Sequence, residues 1–135
     1  MEGKFLKKYV IFALTLVCFI TLLVGCSTND TKNFKLRNVN SIVLEDNTAG
    51  GSVTIVDKDT VSTIVNNFNK LSIKNYREVM PATYGFSIIF KDADGNIIED
   101  IGIFGKTLIY YSNCWYDATK GTIDFDLIKT LLEKQ

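Results

Sequence analysis

Thr83-Tyr84-Gly85-Phe86-Ser87-Ile88-Ile89-Phe90 is the stretch that decides the fold of this chain. Tyr84, Phe86, Ile88 and Phe90 recur at every second residue, with Gly85, Ser87 and then Lys91 on the alternate positions. Successive side chains of a strand point to opposite faces, so this stretch reads as a strand with one apolar face. Strands of that kind belong to an antiparallel sheet covered on one side.

Toward the C-terminus, Asp92-Ala93-Asp94-Gly95-Asn96 is turn chemistry. It leads into Ile97-Ile98, Ile101 and Ile103-Phe104, whose apolar phase shifts across Glu99-Asp100, as at a β-bulge. Gly105-Lys106 makes a second turn. Thr107 to Tyr111 and Cys114 to Ala118 then pair through a two-residue Ser112-Asn113 loop. That loop length sets Tyr111 opposite Cys114, Tyr110 opposite Trp115 and Ile109 opposite Tyr116. Lys120-Gly121 breaks the sheet, and Asp124 caps a last helix to about Lys134, with Leu127, Ile128, Leu131 and Leu132 on one side.

Toward the N-terminus, Met80-Pro81-Ala82-Thr83 is a loop holding the only proline, and Ser72 to Val79 reads as a strand. Before it, Val61, Ile64, Val65, Phe68 and Leu71 mark one face of a helix from Thr60 to Leu71, capped by Asp57 or Asp59. Asn40 to Glu45 and Ser52 to Val56 form a hairpin around Asn47-Thr48-Ala49-Gly50-Gly51. The expected order is β-β-α-β-β-β-β-β-α. This is an α+β domain with an antiparallel sheet of about 5–7 strands and two amphipathic helices on one face.

The opening segment is different in kind. Lys4, Lys7 and Lys8 stand against a single Glu2, and then Tyr9 to Val24 runs sixteen residues without a charge. At 1.5 Å per residue that is roughly 24 Å of helix, short of the ~20 residues a bilayer span needs. A basic flank followed by a short apolar run is the layout of a signal peptide. It ends in Leu23-Val24-Gly25-Cys26, which resembles the lipobox of bacterial lipoproteins: an apolar residue, a small or aliphatic one, Gly or Ala, then Cys. The resemblance implies a diacylglyceryl group on the Cys26 thiol and cleavage between Gly25 and Cys26. It implies a signal peptide over 1–25, a lipidated Cys26, and a cell-membrane location on the extracytoplasmic face. With its small α+β domain, the chain resembles the small surface lipoproteins of Gram-positive bacteria. From Ser27 to Asn33 there is no apolar residue, so 26–37 reads as the lipidated cysteine and a flexible tether, and 38–135 as the domain.

Removal of 1–25 leaves 110 residues, with 12 basic and 14 acidic side chains. A chain of that size buries about 60–70% of its unfolded surface. Its slight negative charge gives no support to a nucleic-acid partner, which needs a basic surface. There is no polybasic run behind the anchor to read headgroups. Cys18 leaves with the signal peptide and Cys26 is acylated, so Cys114 has no partner for an intramolecular disulfide in the processed chain.

The sequence has no histidine, which removes Ser-His-Asp, Cys-His and the usual zinc constellations. Cys114 is the one thiol left as a nucleophile, in a strand between Asn113 and Trp115 without an evident base. Free cysteines are commonly buried as small hydrophobes. Asp92-Ala93-Asp94-Gly95-Asn96 resembles the start of a calcium loop, but the twelfth position is Ile103 rather than Glu. Glu99 and Asp100 are adjacent in a strand and so point to opposite faces. No cofactor and no metal site follow from the sequence.

What remains is the aromatic hairpin. One face carries Ile109, Tyr111, Cys114 and Tyr116, and the other Leu108, Tyr110, Trp115 and Asp117. Tyr and Trp supply rigid area with a polar tip, so Tyr110, Tyr111, Trp115 and Tyr116 are the candidate binding surface. The expectation is a membrane-anchored, non-catalytic binding module with a protein partner. The alternative is an envelope-assembly or inhibitor-like protein that captures another protein on its open sheet face, and an enzyme using Cys114 ranks third.

Overall fold

Alternation at period two and apolar stripes at helical spacing produce ten elements among the described residues. In chain order these are β1 (Lys32–Asn33), β2 (Ser41–Asp46), β3 (Gly51–Ile55), α1 (Lys58–Asn69), β4 (Ser72–Asn75), β5 (Phe86–Lys91), β6 (Ile97–Phe104), β7 (Leu108–Tyr111), β8 (Cys114–Lys120) and α2 (Phe125–Glu133). The computed structural model describes residues 30–76 and 85–134. The expected signal segment over 1–25, Cys26, the loop around Pro81 and the Thr83-Tyr84 start of the opening stretch lie outside them. No helix among the described residues is long and apolar enough to cross a membrane.

All strands join one antiparallel sheet in the order β1-β4-β8-β7-β6-β5-β2-β3. The α+β class and the antiparallel sheet stand as expected. The strand count does not: the described residues form eight strands rather than about 5–7. The additional strand is β1, where Lys32 pairs with Ile73 and Asn33 with Ser72.

Phe86 and Phe90 share one face of β5, as their alternation requires. Phe90 meets Phe68 of α1 edge-on at 5.5 Å, and Phe86 meets Phe125 of α2 at 5.2 Å. Both helices therefore lie on the same face. The buried layer beneath them runs across the strands: Ile73, Tyr116, Ile109, Ile101, Ile103, Ile88, Phe90, Ile42 and Leu44. Above it sit Val61, Ile64 and Phe68 of α1, Leu71 beyond its end, and Ile128 of α2. Each fully buried side chain of this size contributes roughly 1.5–3 kcal/mol. Helix α1 starts at the cap Asp57, whose carboxylate accepts from the Thr60 amide at 2.9 Å, and α2 starts at Asp124, which accepts from Leu127 at 3.3 Å. Helix α1 also carries the chain from the edge strand β3 to β4 near the opposite edge.

The expected tether over 26–37 is corrected here. Phe34 and Leu36 are 7% and 5% exposed and belong to the core. Phe34 packs against Phe68 at 5.8 Å and Tyr111 at 5.3 Å. The Asn69 side chain holds the Leu36 backbone from both sides, accepting from its amide at 2.8 Å and donating to its carbonyl at 3.0 Å. The polar run before Phe34 suggests coil, but two apolar side chains at alternate positions are enough to lay the segment over the sheet. The packed domain thus includes Lys32 to Leu36, ahead of the boundary at residue 38.

The bulge in β6 falls at Ile98. Lys91 pairs with Ile97 while Phe90 pairs with Glu99, so the extra residue sits one position before the Glu99-Asp100 phase shift. Glu99 shares the helix-covered face with Ile101 and Ile103 by ordinary alternation, and the bulge shifts the phase of Ile97 and Ile98 before it.

Candidate functional site

The β7–β8 hairpin has the register its loop length dictates: Tyr111 opposite Cys114, Tyr110 opposite Trp115, Ile109 opposite Tyr116, Leu108 opposite Asp117. Ser112 and Asn113 hold φ of 50° and 61°. Left-handed backbone at both loop residues defines a type I′ turn, whose twist matches that of the strands.

This register divides the four candidate aromatics between two faces. Tyr116 is 5% exposed and part of the core. Tyr111 is half-buried on the same face, 6.3 Å from the Tyr116 ring. Tyr110 and Trp115 lie together on the face without helices, ring centres 5.3 Å apart. The four therefore do not make one surface. An unbroken series of ring contacts runs instead from Phe90 through Phe68 and Phe34 to Tyr111 and Tyr116.

That series ends at a cleft of about 600 Å³, whose lining includes Thr31, Lys32, Phe34, Lys35, Glu99 and Tyr111. The Tyr111 hydroxyl donates to Glu99 Oε1 at 3.1 Å. Burial raises the Tyr111 phenol above its ordinary range, and the negative charge and hydrogen bond of Glu99 push the same way. Phenol and carboxylate form a hydrogen-bonded pair on a wall of mixed polar and apolar side chains. Lys32 reaches over the Tyr116 ring, its Nζ 5.4 Å from the centroid, and donates to the Tyr116 hydroxyl at 3.3 Å. An ammonium over a ring face is held by the ring quadrupole.

Lys32, Phe34, Lys35 and the Tyr111–Glu99 pair were not marked by sequence pattern. Two apolar residues are too few for a periodicity, and the meeting of Glu99 with Tyr111 depends on how β6 pairs with β7. No family model, no curated protein and no solved structure matches the chain. Its functional reading thus rests on its own residues.

Cys114, Asp92 and Asp100 stand outside the lining of this cleft. Cys114 is a free, half-buried thiol opposite Tyr111 on the helix-covered face. Asp92 builds its own turn, accepting from the amides of Asp94 and Asn96 at 2.9 Å each and from the Asn96 side chain at 3.2 Å. Those bonds, led by the Asn96 side chain, lower the Asp92 carboxyl below its usual range. Among the described residues no group of three metal-binding side chains converges. Glu99 and Asp100 pair with Phe90 and Ile89, on opposite faces of β6.

Proposed function

We propose that this chain is a lipid-anchored extracytoplasmic lipoprotein whose domain is a non-catalytic binding module. The observation that carries the reading is Leu23-Val24-Gly25-Cys26 at the end of the uncharged run from Tyr9 to Val24, behind Lys4, Lys7 and Lys8. A diacylglyceryl pair satisfies the two-chain requirement for stable anchoring. The absence of histidine from the sequence favours binding over acid–base chemistry. The cleft beside Tyr111 and Glu99 is the concave surface on which such a module would act.

The test is Cys26→Ala in a cell that processes lipoproteins. Metabolic labelling with a fatty acid should be lost and the signal peptide retained. A variant still labelled and still cut after Gly25 would overturn the reading.

A second reading is favoured by one contact, the Tyr110–Trp115 pair on the face without helices. On that reading the sheet face captures an envelope protein, as an assembly factor or inhibitor would. Trp115→Ala should then abolish crosslinking to the partner while leaving the folded spectrum intact, and unchanged crosslinking would remove it. An enzyme using Cys114 remains third, and a thiol that reacts sluggishly with a mild electrophile at neutral pH disposes of it.

A further inference from the structure

A long tether would hold the domain clear of the bilayer, but the chain has no room for one. β1 begins at Lys32, six residues after Cys26. At ~3.3–3.6 Å per residue, six steps reach at most about 20 Å. A flexible chain of that length averages about 13 Å end to end. A domain of about 100 residues has a radius of gyration of about 13 Å and so is some 30 Å across. The spacer is therefore shorter than the body it carries, and the body cannot turn its far end to the membrane.

Which end lies near is set by β1. It runs antiparallel to β4, and Thr31 lines the same cleft as Ser112 of the β7–β8 turn. The β2–β3 turn over Asn47 to Gly50 lies at the opposite end of the strands, because β2 runs antiparallel to β7 through β5 and β6. The same end carries charge of both signs, because the β5–β6 turn and the start of β6 bring Asp92, Asp94, Glu99 and Asp100 to it. Residues 30–37 carry Lys32, Lys35 and Arg37 against Asp30 alone, and all four are exposed. The remainder of the processed chain carries an acidic excess. Ile97, which precedes the cleft residues Ile98 and Glu99, is 61% exposed.

We propose that the domain docks on the phospholipid headgroups through this end, with the cleft at the bilayer surface and the β2–β3 turn pointing away. The proposal rests on the anchoring reading above. The lipid surface is the occupant that the spacer length selects.

The experiment uses the full chain, acylated in cells, carrying Cys114→Ser and a nitroxide at Ser112→Cys or at Thr48→Cys. It is reconstituted in vesicles that hold a nickel-chelating lipid and a fifth of anionic phospholipid. Collisional relaxation by nickel should be several-fold greater at position 112 than at 48. Inserting twenty Gly and Ser residues after Ser27 should remove most of that difference. Equal relaxation at the two positions in acylated protein overturns the orientation and leaves the anchor standing. Absence of fatty-acid labelling in the same preparations removes the anchor, and the orientation with it.

Discussion

Asp57 shows how one side chain sets a boundary and a pH dependence. Its carboxylate accepts from both the amide and the hydroxyl of Thr60, at 2.9 and 2.7 Å. The side-chain bond to Thr60, followed by the backbone bond, holds the folded carboxyl below the ordinary aspartate value of 3.8. A depressed folded value means the stabilisation is present above 3.8 and is lost as pH falls through the lower, folded value. Asp57→Ala should therefore melt earlier than the parent at neutral pH, and the gap should close below that pH. Asp57→Asn, which also caps well, should keep most of the neutral-pH stability without the acid dependence. Thermal melts from pH 7 to 2.5 test this; a gap that persists unchanged at the acid end assigns the cap no ionic part. Tyr111 titrates in the opposite sense. Its raised phenol favours the folded state below about pH 10, and that contribution is lost as pH rises through the folded value.

At the scale of elements, the lesson lies in what periodicity sees. Helix α1 and the β5 to β8 strands were legible because each repeats its apolar signal several times. The hairpin register was legible to the residue, since a two-residue loop leaves one pairing. β1 was not, because it is two residues long and its hydrophobic anchors, Phe34 and Leu36, lie just beyond it. What fixes that segment is the amide of Asn69, thirty-three residues away, which no local pattern announces. Asn69→Ala leaves the Leu36 amide and carbonyl without these partners beside the core. At about 1–3 kcal/mol for each unsatisfied group, the expected loss is roughly 2–4 kcal/mol. Urea denaturation measures it, and faster hydrogen exchange at Leu36 than at Ile64 would show that the segment lifts before the helix. A loss below about 0.5 kcal/mol would mean that Phe34 alone holds it.

For the whole molecule, the order of elements in the chain was legible and their order in space was not. Seven strands were placed from local signals, yet β4 lies at one side of the sheet and β5 four positions away. Only contacts between distant segments choose that arrangement. The candidate site followed the same rule: the faces of the hairpin were readable, but the cleft forms where β1, the β6 bulge and Tyr111 meet. The division of the chain at residue 38 can be tested directly. A chain beginning at Asn38 loses β1, Phe34 and Leu36, uncovering Phe68 and Tyr111. Truncating one buried Phe costs about 3–5 kcal/mol and one buried Leu about 2–5. Together these approach the ~5–15 kcal/mol that holds a whole domain. The chain beginning at Ser27 should unfold in one cooperative transition. The chain beginning at Asn38 should keep its far-ultraviolet circular dichroism, lose the near-ultraviolet signal of its aromatic rings and melt without a sharp midpoint. Coincident transitions for the two would return residues 32–36 to the role of a tether, and would remove the short spacer on which the membrane-facing orientation depends.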